Sequence, residues 1–182
     1  MKAANASSYH WTVHALCLAA VMTAVVFLMT FVPKIPIPLG YAHLGDAAIF
    51  LVVFFVGRHE GLLAGCLGSA LADLLGGFPV WIGPTLLIKF LMAETFWQIA
   101  LRNREEGRAK IFSPRVFAGL VLACLVMAAG YTLFGAMLYD SLALGLSSAP
   151  GLLMEGAVNI AAFYPVAAVL YRKAGFLYTR EH

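Results

Sequence analysis

Residues 40–93 read GYAHLGDAAIFLVVFFVGRHEGLLAGCLGSALADLLGGFPVWIGPTLLIKFLMA and set Asp46, Asp73 and Lys89 among otherwise apolar residues. On insertion scales a charged side chain near the centre of a membrane helix costs about 2.5–3.5 kcal/mol. Ionisable groups that persist at such positions mark sites by default. The stretch therefore reads as both membrane-embedded and site-bearing.

The rest of the chain agrees with a membrane protein. Its 182 residues are 62% hydrophobic and 12% charged, with a mean hydropathy of +0.88, against an apolar share of about 45–50% for soluble domains. A membrane helix needs roughly 20 apolar residues, and polar breaks divide the chain into Val13–Val32, Leu44–Val56, Leu62–Leu75, Gly83–Leu101, Val116–Leu138 and Gly151–Leu170. The expected fold is an all-α integral membrane protein, a compact bundle of six helices in one domain over 1–182. The second and third segments are short, but joining them would bury Arg58, His59 and Glu60 in mid-helix, so a hairpin is expected there. Short spans are tolerated where they tilt little or end against protein or a wet cavity.

Lys and Arg concentrate in cytoplasmic loops. With the N-terminus inside, that side carries Lys2, Arg58, Arg102, Arg104, Arg108, Lys110, Arg115, Arg172, Lys173 and Arg180, ten of the twelve, leaving Lys34 outside and Lys89 in the membrane. Both termini are expected in the cytoplasm, and the net charge of +3 reads as a topology signal with no nucleic-acid partner implied. The basic stretch 102–115, with its run RNREEGRAK, reads as a solvated cytoplasmic loop or a docking surface. The apolar run after His14 lacks a small-residue cleavage site and reads as a retained first helix.

Several chemistries are disfavoured by spacing. Cys17, Cys66 and Cys124 fall in three different apolar segments with no disulfide or metal-ligand pattern, and no metal is expected. His59-Glu60 lacks the second His of a zinc-protease signature, and Ser147 has no later histidine except His182 in the tail. No Walker motif is present, so the chain itself should hydrolyse no ATP. No catalytic residue is assigned.

Small residues at Ala15 and Ala19, and at Ala20 and Ala24, recur at helical spacing in the first helix. Such faces let helices approach closely in lipid, either within the bundle or against another membrane subunit. Gly57, Gly61, Gly65, Gly68, Ala72 and Gly76 point to tight packing of the third helix. Between the first two helices, Pro33, Pro36 and Pro38 hold an extended segment, so 33–45 reads as a semi-rigid external loop over the bundle mouth.

Lys89 and Glu155 both lie roughly six residues inside their helices, some 9 Å from the external surface. Asp73, and Asn159 one turn beyond Glu155 on the same face, complete a polar layer. A structural ion pair is one reading of Lys89; a wet pocket holding a small polar ligand is the favoured one, because apolar residues would satisfy a purely structural role. Its carboxylate partner is expected to be Asp73 or Glu155. Tyr41, Phe78, Trp81, Tyr139 and Phe163 are either walls of that pocket or interface-belt aromatics. Asp46 is expected to cap the second helix, and Glu94 to make a bundle or subunit contact. A proton-coupled secondary transporter using Glu94 or Glu155 would normally show repeated halves, and an intramembrane enzyme would show a nucleophile or metal motif; neither feature is found.

GYAHLGDA, GLLAGCLGSALADLLGG and GPTLLIKFLMA together resemble the substrate-binding S components of energy-coupling-factor (ECF) vitamin transporters, close to the riboflavin-type branch that includes pyridoxine and hydroxymethylpyrimidine carriers. The resemblance implies a non-enzymatic transport component in a bacterial or archaeal cell membrane. It implies partners as well: a transmembrane coupling subunit held through Ala15, Ala19, Ala20 and Ala24, and two cytoplasmic ATPase subunits that use the ATP. The 33–45 loop becomes a lid over a site containing Lys89, Glu155, Asn159, Asp73, Tyr41, His43 and Trp81. Those residues suit a small heteroaromatic ligand such as pyridoxine, hydroxymethylpyrimidine or a deazaguanine precursor of queuosine.

Overall fold

The computed structural model describes residues 12–102 and 110–178, with side chains to residue 172. Lys2, Arg104, Arg108 and Arg180, the side chain of Lys173 and residues 103–109 of the basic loop lie outside the described residues. Among the described residues six α-helices follow one another: α1 (Val13–Phe31), α2 (Gly45–Phe55), α3 (Arg58–Gly76), α4 (Ile82–Ala100), α5 (Pro114–Leu138) and α6 (Leu142–Tyr178). By length and composition α1, α5 and Leu142–Arg172 of α6 are apolar enough to cross a membrane, and α2 is a shorter apolar helix.

The helix ends follow local chemistry. The Thr12 hydroxyl accepts from the Ala15 N–H at 3.2 Å to start α1, and Ser113 does the same for Val116 at 3.3 Å ahead of Pro114 at the first position of α5. Val56 and Gly57 turn the chain from α2 into α3, with Gly57 at φ 154°, a region left almost entirely to glycine. The expected hairpin is there, but Arg58, His59 and Glu60 form the first turn of α3 rather than a loop.

Short α2 is explained by its place. It packs against α1, α3, α4 and α6, and Gly45 through Phe50, Val52 and Val53 are all buried. A helix enclosed by protein does not have to match the hydrocarbon thickness. Packing around it relies on the α3 glycines: a Cβ on Gly61 would lie 2.9 Å from the Val53 Cα, and one on Gly68 would lie 2.8 Å from the Thr23 carbonyl of α1. Further along the bundle Phe50, Phe96 and Phe163 form an aromatic core, with centroids 5.1 Å apart for the first pair and 6.1 Å for the second.

Two differences from the sequence-based expectation concern the end where the polar layer lies. The proline segment is not simply extended: Ile35–Ile37 (β1) and Gly40–Ala42 (β2) pair antiparallel, with Pro36 opposite Tyr41. Pro38 and Leu39 make the turn, and Leu39 takes φ 66° at the position where a type II turn usually holds glycine. Helix α6 also starts at Leu142, nine residues before the expected Gly151, and runs through Pro150 and Pro165. Ser147 and Ser148 donate to the Leu144 and Gly145 carbonyls, each at 2.7 Å, just ahead of Pro150, whose missing N–H leaves the Leu146 carbonyl without its helical partner.

Candidate functional site

The hairpin lies across one end of the bundle and roofs a pocket. Ile37, Pro38, Leu39, Gly40, Tyr41 and His43 line it from above. Asp73 and Phe78 from the α3 end, Trp81 from the 3₁₀ turn Pro79–Trp81, Tyr131 of α5, and Ser148, Leu152 and Glu155 of α6 supply the rest. Two glycines seat the roof. A Cβ on Gly151 would stand 2.9 Å from Ile37 Cγ2, and one on Gly135 would stand 2.9 Å from Leu39 Cδ1.

One wall is a hydrogen-bonded chain. Thr85 donates to Asp73 at 2.5 Å, so its oxygen, 3.0 Å from the Tyr131 hydroxyl, is left to accept from that phenol. Tyr41 donates to the other Asp73 oxygen at 3.5 Å. Burial, and next the charge of Asp73, raise the Tyr41 phenol above its ordinary range, so it stays a donor. Tyr41 packs against Phe78 with centroids 5.6 Å apart, and Trp81 against Tyr131 at the same separation. Trp81 is buried, and its Nε1 has no hydrogen-bond partner among the described residues.

The opposite wall joins the hairpin to α2 and α6. Glu155 accepts from the His43 backbone N–H at 3.3 Å, and its carboxyl lies 3.1 Å from His43 Nδ1. That nitrogen also accepts from the Gly45 N–H at 3.1 Å. Burial pushes the imidazole down to about 4, with the Lys89 charge acting in the same direction. At pH 7 the ring is uncharged, and it forms an ion pair with Glu155 only when protonated.

The structure corrects the expected role of Lys89. Its partner is neither Asp73 nor Glu155 but Asp46, in direct contact, with side-chain exposures of 1% and 0%. Asp46 is thus no helix cap. The N-terminus of α2 is capped by Asn159 Oδ1, which accepts from Ala47 N–H at 2.8 Å, and by His43 through Gly45. Asn159 Nδ2 donates to the carbonyls of His43 at 2.8 Å and Glu155 at 2.9 Å. With their polar atoms engaged inside the bundle, Lys89 and Asn159 lie outside the pocket lining. Asp73, Glu155, Tyr41, His43 and Trp81 do line it.

Other expectations divide similarly. Phe163 belongs to the aromatic core, and Tyr139 is an exposed neighbour of Trp81 at 6.4 Å. Glu94 is held by Arg58 at 2.8 Å. Ala19 is buried and Ala15 partly buried, whereas Ala20 and Ala24 are exposed, so the four alanines occupy two faces of α1. His43, Asp46 and Glu155 bring one potential ligand atom each within 4.8 Å of one another, but Lys89 already serves as the cation beside Asp46. Tyr131, Thr85, Ser148 and Leu152 were not singled out from sequence; Tyr131, a hydroxyl-bearing aromatic in the middle of apolar α5, was the one visible signal.

Comparison with known proteins places this geometry in a family. Residues 10–172 match the family described as ECF-type riboflavin transporter, S component. The chain is 35% identical over 116 residues to an "Uncharacterized protein in gap 3'region" of Pyrococcus woesei, covering 63% of this chain and 73% of that protein. A solved structure described as "Structure and mechanism of the S component of a bacterial ECF transporter" superposes with a TM-score of 0.68 at 22% identity, covering 90% of this chain and 97% of that one. Its likeness is one of fold: a bundle of membrane helices. The chain is therefore a membrane protein and a transport component rather than an enzyme, and it belongs to the family of ECF-type riboflavin transporter S components.

Proposed function

We propose that this chain captures a small water-soluble heteroaromatic vitamin or vitamin precursor and delivers it inward with an ATP-driven coupling module. Pyridoxine, hydroxymethylpyrimidine and a deazaguanine precursor of queuosine are the compounds whose size and hydrogen-bonding groups suit it. The observation that carries this reading is the hairpin-roofed pocket, in which Tyr41, Phe78, Trp81 and Tyr131 surround the acceptors Asp73 and Glu155. A flat ring packs against such walls. The Trp81 Nε1–H, buried without an acceptor, is a ready donor to a ring nitrogen or carbonyl, since leaving such a group unpaired is costly.

The hairpin is the lid. Its cavity measures about 60 Å³, whereas roughly 150 Å³ is the size known to take a benzene ring. A ring therefore enters only when the roof lifts, and the contacts of Ile37 and Leu39 at Gly151 and Gly135 are what must part. Lys89, Asp46 and Asn159 act as positioning residues beneath it.

The hairpin end faces outward and both termini face the cytoplasm of a bacterial or archaeal cell. In support, Arg58, Arg102, Lys110, Arg115 and Arg172 all sit at helix ends remote from the hairpin. Exposed Ala20 and Ala24 meet the transmembrane coupling subunit, and two ATPase subunits use the ATP, with no cofactor in this chain. A proton-coupled secondary transporter is less well supported, because Glu94 is held by Arg58. The test is mass spectrometry of the small molecule released on denaturing the purified chain. A heteroaromatic nutrient recovered from the wild type and lost on Trp81→Ala is expected; recovery of the same compound from both proteins contradicts the assignment.

A further inference from the structure

The pocket has an imbalance of charge. Asp73 and Glu155 both line it, and no Lys or Arg does. Among the described residues the Lys or Arg ion pairs are Arg58 with Glu94 and Lys89 with Asp46, so neither lining carboxylate has such a partner. Asp73 receives its hydrogen bonds from the neutral hydroxyls of Thr85 and Tyr41. Glu155 faces His43, whose uncharged ring already accepts from the Gly45 N–H at Nδ1, so their 3.1 Å contact closes as a hydrogen bond with the proton on the Glu155 carboxyl. Asp73 is the lining charge left without a counter-ion. Lys34 lies over the Phe31 and Tyr41 rings, 4.0 and 4.3 Å from their centroids, and is not part of the lining.

Carboxylates removed from water are stabilised by a cation with hydrogens to donate, and aromatic faces attract the same charge. An anionic ligand would add a further negative charge to a partly desolvated space. We propose that the site selects a cation: a heteroaromatic bearing a protonated amine, its ammonium on Asp73 with a Glu155 oxygen as second acceptor, and its ring against Tyr41, Phe78 and Trp81. The inference rests on the reading of the chain as a capture component and narrows it to one charge class. Lys89 and Asp46, which neutralise each other below the floor, leave that selection to Asp73.

The experiment is calorimetry on the purified full chain in detergent at pH 7 with three matched pairs: pyridoxamine against pyridoxine, aminomethyl against hydroxymethyl aminopyrimidine, and aminomethyl deazaguanine against its nitrile. In whichever pair binds, the amine should bind about tenfold tighter or more, the effect of one charge-assisted contact. The preference should collapse in Asp73→Asn and keep its sign in Asp73→Glu. Equal affinity within a pair, or tighter binding of the neutral member, overturns the charge selection while leaving ligand capture standing. Binding of none of the six overturns the heteroaromatic reading and this inference with it. The wild-type comparison decides even where a variant fails to fold.

Discussion

Asp46 and Lys89 neutralise one another inside the bundle, tying α2 to α4 beneath the pocket, with both side chains shut off from solvent. The pair explains how a membrane segment keeps a lysine. Removing one member of a buried pair leaves an uncompensated charge and costs about 3–5 kcal/mol. Lys89→Met should therefore lower the melting temperature sharply, and adding Asp46→Asn should restore most of it. Adding Asp73→Asn should not. Rescue by the Asp73 change alone would reverse the assignment.

The two alanine faces of α1 separate packing from assembly. Ala19 is 1% exposed, so Ala19→Leu overfills the bundle and should destabilise the isolated chain by about 1–3 kcal/mol. Ala20 is exposed, so Ala20→Leu should leave stability within about 0.5 kcal/mol of wild type yet impair uptake or complex assembly by blocking close helix approach. Melting curves and co-purification of the coupling subunit read the two effects. Identical behaviour of the two variants would contradict the division of faces.

Gly151 tests the roof. Because its Cβ would stand 2.9 Å from Ile37 Cγ2, Gly151→Ala should hold the hairpin off α6 and weaken ligand binding by about tenfold, equivalent to about 1.4 kcal/mol. Ile37→Ala removes the nearest atom, and the double variant should bind better than Gly151→Ala alone. Additive losses in the two single variants would mean that the contact does not seat the lid.

His43 gives a pH signature. Its pKa is lowered from 6.5 to about 4 in the folded chain, chiefly by burial. The unfolded chain binds that proton first, so this contribution is fully present above pH 6.5 and is lost as pH falls toward 4. The difference corresponds to about 3 kcal/mol. Wild-type melting temperature should fall over that window more steeply than that of His43→Asn, which keeps a side-chain acceptor near Gly45. Parallel pH profiles would exclude His43 as the source.

The helices were legible because each apolar run ends at proline, glycine or charge, as at Pro33, Gly57 and Gly77. The depth of Glu155 and Asp73 was legible for the same reason, since distance along a helix converts directly into depth. Which helices abut is not a property of spacing. Asp46 looked like a cap because it stands second in α2, and only the enclosure of α2 by four neighbours brings Lys89 to it. The start of α6 differs for a local reason: Pro150 reads as a boundary, yet the helix runs through it and brings Ser148 into the pocket.

One bundle, unaided, is expected to hold the ligand beneath its hairpin. The most direct measurement is equilibrium titration of the purified chain, without ATP or other subunits, against a panel of vitamins and their precursors, in wild type and Trp81→Ala. Saturable binding of one small heteroaromatic compound at one site per chain is expected, lost when Trp81 is truncated. Binding that appears only when the coupling and ATPase subunits are present, or that is indifferent to Trp81, would contradict it.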